Sequence, residues 1–204
     1  MLSKIKIAVF VSGGGTNLQA LIDAEKRGEI KSGTIALVLS DKPTAYALER
    51  AKAAGIPTAV LERKAFSTQI EYEDAIANLV TEKGVGLIVL AGFMRILGES
   101  FTKKFENRII NVHPSLIPSF CGKGYYGLIV HEKALEYGVK VTGATVHYVN
   151  EIADGGKIIM QKAVNILPGD TPEILQKRVM QEAEWIILPQ ATEYVCNQLL
   201  NSQK

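Results

Sequence analysis

The chain has 204 residues, a formal net charge of +2 and a hydrophobic fraction of 47%, which is typical of a globular protein with one sizeable core. A charge this close to neutral gives no indication of nucleic-acid binding, and no apolar stretch reaches the length of a membrane span. The two cysteines, Cys121 and Cys196, have neither metal nor redox spacing, so we expect a protein of the reducing cytoplasm.

Short β-branched runs alternate with helical patterns over the first 112 residues. Strands are predicted at 5–11, 34–39, 58–61, 87–91 and 109–112, and helices at 17–27, 44–54 and 70–83. The run from Leu87 to Ala91 has no polar interruption, as expected for a strand that is covered on both faces. The alternation predicts an α/β fold, with a mostly parallel Rossmann-like sheet and helices on both faces.

The pattern changes after Leu128. A helix is predicted at 128–137, and two strands at 140–149 and 157–166 could form an antiparallel pair. Thr171 and Pro172 predict the start of a helix that runs to about residue 188. Pro189 is expected to interrupt it, and a further helix is predicted at 190–200. No linker, repeat or low-complexity segment divides the chain, so we interpret residues 1–204 as a single domain.

Asn111 and His113 end the strand predicted at 109–112, just before a loop that two prolines keep extended. Residues two apart on a strand share a face, and ligands of α/β sheets bind outside the carboxyl ends of the strands. Asn can donate a hydrogen bond to a developing oxyanion, and His can exchange a proton near neutral pH. The alternative is a histidine satisfied by the backbone and an asparagine that merely ends the strand. We favour a catalytic pair.

A glycine-rich turn, SGGGTN, occupies residues 12–17 between the first strand and the first helix. Glycines there let backbone N–H groups approach an anion at a helix N-terminus. Leu18 stands where a dinucleotide motif needs glycine, and no Walker lysine follows. The turn therefore predicts a site for one phosphate, with a tight turn capped by Thr16 or Asn17 as the alternative.

Other polar positions have both a structural and a functional interpretation. Asp154 precedes two glycines, which is typical of a turn. If its loop folds back onto His113, the carboxylate would raise the pKa of the imidazole and orient it. His147, on the preceding strand, is either a second polar wall of the pocket or a buried histidine. Gln181 and Glu184 neighbour each other on a helix, either as a solvated face or as acceptors for a ligand.

The remaining histidine and the cysteines give weaker signals. His131 lies in a helical pattern, where a structural role is expected. Three histidines without short spacing and without a cysteine cluster do not predict a zinc site. Nothing near Cys121 in the sequence would activate it as a nucleophile.

Several longer segments are similar to one known family. The chain resembles the phosphoribosylglycinamide formyltransferases, folate-dependent enzymes of purine synthesis, over nearly its whole length. The resemblance rests on VSGGGTNLQALIDA, LERAKAAGIP, LAGFMRIL, NVHPSLIPSF, GATVHYVNEIADGGKIIMQKAV and GDTPEILQKRV. The HPSLIP and DGG segments resemble folate formyltransferases in general, whereas SGGGTN and the short chain resemble the glycinamide ribonucleotide member.

The resemblance implies the formyltransferase fold and specific residue roles. Asn111, His113 and Asp154 match the catalytic trio, with His147 in support. The ribonucleotide contacts match Gly15, Thr16, Asn17, Gln181 and Glu184. The folate contacts match Gln69, Met94, Arg95, Ile96, Leu97, Asn111, Asn150, Glu151, Ile152, Ala153 and Asp154. The two functional halves would be a mononucleotide-binding part at about 1–110 and a folate-binding, catalytic part at about 85–204.

Three positions depart from the family pattern. Gln69 stands where some relatives have an arginine that meets the folate, and Trp185 follows Glu184 where histidine is common. The stretch CGKGYYGL, at residues 121–128, is a few residues longer than in some members.

The resemblance also implies the ligands. The cosubstrate would be 10-formyltetrahydrofolate and the acceptor 5'-phosphoribosylglycinamide, without a metal, a nucleic acid or a membrane, in a monomer or weak homodimer. One alternative interpretation is a methionyl-tRNA formyltransferase, which would need a nucleic-acid-binding region. Another is a formyl-folate hydrolase, which would carry an extra N-terminal domain. A non-catalytic mononucleotide-binding module is a rival of a different class.

Overall fold

Seven strands form one sheet in the computed structural model, which describes residues 4–202. The strand order is β3-β2-β1-β4-β5-β6-β7. The strands are β1 (Ile5–Val11), β2 (Gly33–Ser40), β3 (Thr58–Val60), β4 (Leu87–Leu90), β5 (Ile109–His113), β6 (Val141–Tyr148) and β7 (Ile158–Asn165). Strands β1 to β5 pair with one another in parallel, whereas β6 runs antiparallel to both β5 and β7. The predicted α/β fold and the predicted antiparallel pair are confirmed.

Helices cover both faces of this sheet. They are α1 (Thr16–Lys26), α2 (Tyr46–Ala53), α3 (Gln69–Glu82), α4 (Glu99–Lys104), α5 (Leu128–Tyr137), α6 (Pro172–Val179) and α7 (Trp185–Asn201). The two faces of the sheet have separate cores, and strand β1 contributes to both. Val9 packs into a core with α1, α2 and α7, and Phe10 packs into a second core with α3 and α4. Both side chains are fully buried, which explains the uninterrupted apolar run of a strand covered on two faces.

Two short helical elements have no counterpart in the predicted pattern. They are α4 and a single 3-10 turn, Arg63–Ala65. Each is too short to show a helical repeat of apolar residues, so periodicity had nothing to detect. Among residues 4–202, no helix combines the length and the apolar character that a membrane span requires.

The C-terminal helix differs from the prediction at its centre. Thr171 caps α6 as predicted, with Pro172 in the first turn. The predicted break at Pro189 is wrong, because Pro189 lies inside α7. The irregularity comes earlier, where Met180–Glu184 forms a π-helical turn between α6 and α7. Such turns insert one extra residue per turn and often occur at functional sites.

Candidate active site

The carboxyl ends of β4 and β5 open into a cavity of about 590 Å³, here called the large cavity. Asn111 and His113 both line it, as their shared face on β5 predicts. His147 of β6 pairs directly opposite Asn111 in the antiparallel register, so it faces the same side of the sheet. Residues 92–97, 111–114, 122–127 and 152–154 form the walls, together with Leu90, His147, Val149 and Asn150.

The loop between β6 and β7 carries Asp154 back onto these side chains. One carboxylate oxygen lies 3.5 Å from Nδ1 of His113, and the other lies 3.6 Å from Nε2 of His147. The N–H of Gly122 donates to the same carboxylate at 2.8 Å. Asp154 adopts a left-handed backbone with φ of 56°. A Cβ on Gly156 would lie 1.7 Å from the Tyr148 carbonyl, so the glycine lets this loop fold closely against β6.

His113 is held on its far side by a backbone carbonyl. Its Nε2 lies 2.9 Å from the oxygen of Phe120, and a carbonyl can only accept, so Nε2 carries a proton. Phe120 itself has a left-handed φ of 47°, a conformation that costs about 1–3 kcal/mol for a non-glycine residue. Its ring contacts Tyr125 and Tyr137, at centroid distances of 6.4 and 6.0 Å. Each such pair contributes about 0.5–1.5 kcal/mol, enough to offset most of the backbone cost.

The protonation states follow from burial and from these contacts. Burial lowers the pKa of His113, and this outweighs the opposite effects of Asp154 and the Phe120 carbonyl. The predicted effect of Asp154, a rise in the pKa of His113, is confirmed, but burial has the larger effect and the net shift is downward. Burial raises the pKa of Asp154, yet His147, His113 and the Gly122 N–H together bring it below its usual value. The free protein therefore holds a carboxylate beside a neutral imidazole at neutral pH.

Asn111 and His147 form a polar pair across the strands. Nδ2 of Asn111 lies 3.2 Å from Nε2 of His147, and Nδ1 of His147 lies 2.8 Å from the carbonyl of Tyr148. A proton on Nδ1 satisfies that carbonyl and leaves Nε2 to accept from the amide. His147 thereby orients Asn111, whose amide has a second N–H available in the large cavity.

The segment Met94–Leu97 forms the opposite wall of the large cavity. The N–H of Met94 donates to the Ser12 hydroxyl at 2.9 Å, and the N–H of Ser12 donates to the Gly92 carbonyl at 3.1 Å. These bonds tie the wall to the glycine-rich turn. Arg95 is fixed by an ion pair of 2.7 Å to Asp41, whose side chain is fully buried.

Two of the residues matched to folate contacts do not line the large cavity. Gln69 donates to Glu73 at 2.6 Å and to the Ile96 carbonyl at 3.4 Å, behind the wall, and accepts from Arg63. Glu151 is exposed and is not one of the residues that line the cavity. The structure therefore does not bring these two side chains to the cavity, whereas the other matched folate positions do line it.

The glycine-rich turn presents the N-terminus of α1. Gly15 is the N-cap, with a left-handed φ of 72°, and no side chain caps the helix. The alternative of a cap by Thr16 or Asn17 is therefore not what the structure shows. The carbonyls of Gly13 and Gly14 are taken by Ala47 and Arg50 of α2. The N–H groups at this helix N-terminus remain available to an anion.

Asn17 and Glu184 meet although 167 positions separate them. Nδ2 of Asn17 donates to the Glu184 carboxylate at 2.7 Å. Burial raises the pKa of Glu184 to about 6, and the bond from Asn17 opposes this rise. Gln181, on the same π-helical turn, is exposed and does not line the large cavity. The turn thus directs Glu184 towards α1 and leaves Gln181 at the surface.

A family model described as formyl transferase matches residues 5–192. The chain belongs to the formyl transferase family. The phosphoribosylglycinamide formyltransferase of Haemophilus influenzae is 48% identical over 184 residues, covering 90% of this chain and 84% of that protein. The enzyme of the same name from Escherichia coli is 41% identical over 185 residues, with 91% and 84% covered.

Solved structures and longer relatives agree with this assignment. Glycinamide ribonucleotide transformylase 1 from Symbiobacterium toebii superposes with a TM-score of 0.89 at 42% identity, covering 96% of this chain and 89% of that one. The trifunctional purine biosynthetic protein adenosine-3 of Gallus gallus is 46% identical over 195 residues. This formyl transferase family member spans only 19% of that longer protein.

Sequence reasoning missed several residues of this family member's site. Arg50 donates to the Gly14 carbonyl at 2.8 Å and stacks on Tyr46, so it places a cation beside the predicted phosphate turn. A second cavity of about 260 Å³, the small cavity, adjoins it, lined by Thr16, Gln19, Ala20, Asp23, Arg27, Arg50 and Trp185. The lining residues within 16–27 are related by steps of three or four positions, which places them on one face of a helix. This spacing is the signal in the sequence that could have revealed them.

His131 and Cys121 take the minor roles expected of them. His131 is buried, and neither ring nitrogen has a hydrogen-bond partner among the described residues. Burial, with a smaller effect of His113, lowers its pKa to about 4, so it stays neutral. Burial and the charge of Asp154 raise the pKa of the Cys121 thiol, the opposite of what a nucleophile needs.

Proposed function

We propose that this protein transfers the formyl group of 10-formyltetrahydrofolate to the amine of 5'-phosphoribosylglycinamide in purine biosynthesis. One observation carries the proposal. Asn111, His113 and Asp154 converge on the large cavity, and a hydrogen-bonded segment links that cavity to an uncapped helix N-terminus suited to phosphate. The names of the relatives in Haemophilus influenzae and Escherichia coli support the same reaction.

The two substrates would occupy neighbouring parts of the sheet edge. The phosphate of the ribonucleotide would bind the N–H groups of residues 15–17, where the helix dipole favours negative charge. Glu184 would accept hydrogen bonds from the ribose hydroxyls. The pterin of the folate would lie between residues 94–97 and the loop around Asp154. Anchoring both ligands away from the reacting atoms orders the amine against the formyl carbon.

The chemical step begins with attack by the neutral amine on the formyl carbon. The new carbon–nitrogen bond converts the formyl oxygen into an oxyanion, and the attacking nitrogen becomes cationic. The Asn111 amide donates a hydrogen bond to this oxygen, in the manner of an oxyanion hole. Collapse of the intermediate re-forms the carbonyl and breaks the bond to the folate nitrogen.

His113 would carry the proton between the two nitrogens. Its Nε2–H is held by Phe120, so Nδ1 is the free base of the neutral ring. This nitrogen accepts the proton of the attacking amine, and the imidazolium is then stabilised by Asp154. Nδ1–H delivers the proton to the departing folate nitrogen, which leaves the enzyme unchanged. A lowered pKa for the free ring suits this role, since the base must be neutral before the reaction.

Other aspects of the proposal concern the whole protein. The step needs no metal, and we propose small-molecule substrates only, without nucleic acid. We also propose a cytoplasmic enzyme, which agrees with the two free thiols of Cys121 and Cys196. The single-domain interpretation and the monomer or weak homodimer remain predictions.

An assay with purified protein tests the reaction. Incubation with 10-formyltetrahydrofolate and 5'-phosphoribosylglycinamide should change the folate absorbance, and the ribonucleotide should gain one formyl group by mass. The Asp154→Asn variant should bind both ligands and turn over much more slowly. Formyl transfer to methionyl-tRNA, or release of formate without the ribonucleotide at the same rate, would replace the proposal with one of its rivals.

A further inference from the structure

We propose that Phe120 is a positioning residue for His113, held in place by an aromatic brace made of Phe120, Tyr125 and Tyr137. The brace presents the Phe120 carbonyl to Nε2 of His113 and thereby fixes which nitrogen of the imidazole faces the substrates. This role deepens the proposed function and rests on it. It is distinct from the contact of Asp154, which lies on the other nitrogen of the ring.

The geometry of the carbonyl is the first support. The oxygen of Phe120 lies 2.9 Å from Nε2 of His113, whereas Asp154 lies 3.5 Å from Nδ1. The carbonyl contact is therefore the shorter of the two and the only one with ordinary hydrogen-bond geometry. A neutral ring protonated at Nδ1 would face the carbonyl with a lone pair, so the contact selects the Nε2–H tautomer.

The left-handed backbone of Phe120 is the second observation that supports the proposal. A φ of 47° lies in the left-handed region, which a phenylalanine rarely adopts. Such conformations persist only where the surroundings over-determine them. Ring contacts with Tyr125 on one side and Tyr137 on the other supply that constraint, with tilted and edge-on geometries.

The brace draws on two separate segments. Tyr125 belongs to the 121–128 stretch that is longer than in some family members, and Tyr137 is the last residue of α5. The Tyr137 side chain is 80% exposed and yet contacts the Phe120 ring. A large exposed aromatic residue at a helix end has no role in the core, and the brace provides one.

Several titratable groups surround His113 and bear on the test. Asp154 approaches from the loop after β6, His147 from β6 and His131 from α5, and the Cys121 thiol lies near Asp154. The Phe120 carbonyl raises the pKa of His113 against the larger effect of burial. Loss of that contact should therefore lower the pKa of His113 further and should allow the second tautomer.

Nitrogen-15 NMR of the imidazoles tests the brace without any substrate. The chain has only three histidines, and a His113→Gln sample identifies the signal of His113. We expect the Nε2–H tautomer alone in the unmodified protein. In Phe120→Leu and in Tyr137→Leu, the Nδ1–H tautomer should become populated and the pKa of His113 should fall. Tyr137→Leu is the safer variant, because Tyr137 is exposed and belongs to neither hydrophobic core.

Kinetics provide the second measurement. Phe120→Leu should lower kcat roughly 10- to 100-fold with KM for both substrates nearly unchanged, because a reacting group displaced by 1 Å can lose about 10²-fold. Phe120→Tyr keeps the ring and should restore the rate. Tyr194→Leu, an exposed tyrosine of α7 outside the cavity lining, is the matched control and should match the unmodified enzyme.

The two measurements separate the two proposals. If the tautomer and the pKa of His113 stay the same in both Phe120→Leu and Tyr137→Leu, the brace does not position the ring and the inference is overturned. If the NMR changes occur but the unmodified protein transfers no formyl group, the brace holds and the proposed function fails. Equal losses of folding and activity in Phe120→Leu alone would leave the decision to Tyr137→Leu.

Discussion

The glycine-rich turn, which we propose binds phosphate, and the large cavity lie at the same edge of one sheet, but they are assembled in opposite ways. The proposed phosphate turn consists of neighbouring residues, 12–17, and presents the backbone N–H groups at the start of one helix. The large cavity takes its polar groups from β5, β6 and two loops, so that Asn111 and Asp154 come from segments 43 residues apart. The first site is local in sequence and the second is entirely a product of the fold.

The two sites also differ in strain. Three non-glycine residues among 4–202 have positive φ, and two of them, Phe120 and Asp154, contact His113. In the phosphate turn, the left-handed position is occupied by Gly15, which adopts it without cost. Strain is thus concentrated around the His113 imidazole, whereas in the glycine-rich turn a glycine takes the left-handed position.

The largest expected effect is at the large cavity. Asn111→Ala should lower kcat by about 10²–10³-fold with little change in either KM, because it removes a donor to the oxyanion. Steady-state kinetics with each substrate varied in turn measure it. Asn165→Ala, an exposed asparagine at the end of β7, is the matched control. A large rise in KM instead would mean that Asn111 binds ground states, and the contrast between the two sites would weaken.

The second-largest effect is expected at Glu184, which joins the π-helical turn before α7 to Asn17 at the start of α1. The pKa of Glu184 in the folded protein is about 6, above its ordinary value. Folding therefore favours the protonated carboxyl, and the stability present below about pH 4.5 is lost as pH rises through 6. The loss should be about 2 kcal/mol, from about 1.36 kcal/mol per pKa unit. Urea unfolding at pH 4.5 and 7.5 should show it in the unmodified protein and not in Glu184→Gln.

A smaller effect is expected at the turn itself. Gly15→Ala should raise KM for the ribonucleotide roughly tenfold, because a Cβ would lie 2.6 Å from that of Ala47 and the left-handed backbone costs about 1–3 kcal/mol. Gly13→Ala should change it less, since a Cβ there meets nothing within 4 Å. Calorimetric binding of each ligand checks the assignment. A loss confined to folate binding would show that the turn serves the other substrate.

The smallest effect concerns the wall between the sites. Asp41→Asn should free the Arg95 guanidinium, which is 41% exposed, and raise KM for the formyl folate about two- to fivefold. That range corresponds to about 0.5–1 kcal/mol for a partly exposed ion pair. The ribonucleotide KM should stay the same. An equal change in both constants would mean that the wall and the phosphate turn respond as one unit.

Most of the fold could be predicted from periodicity. Strand β5 and helix α5 were located within one residue, because a buried strand and an amphipathic helix are marked by their own side chains. The break predicted at Pro189 is absent, because tertiary packing can override the local preference of one residue and Pro189 is buried inside α7. The three-residue turn at Arg63–Ala65 and helix α4 were too short to leave a pattern.

The candidate site residues also fall into two groups: those marked by local sequence features and those revealed only by tertiary contacts. Asn111, His113 and Gly15 could be chosen because strand ends and helix starts are local features. Arg50, Phe120 and Tyr137 could not be chosen, because their relevance arises from tertiary contacts: Arg50 with Gly14, Phe120 with His113, and Tyr137 with Phe120. The sequence also could not show in which direction the pKa of His113 is shifted, because the effect of burial has to be compared with that of the Asp154 charge.

By itself, the sequence determined the α/β class, the strand that carries Asn111 and His113, and the glycine turn before α1. It did so because hydrophobic periodicity and glycine conformation act within a few residues. Only the tertiary structure decided that Asp154 reaches His113, that Asn17 meets Glu184, and that Phe120 holds the imidazole. Those contacts depend on how the loops pack against the folded sheet. The free energy of that packing comes from many residues that are distant in the chain, so no short sequence pattern marks it.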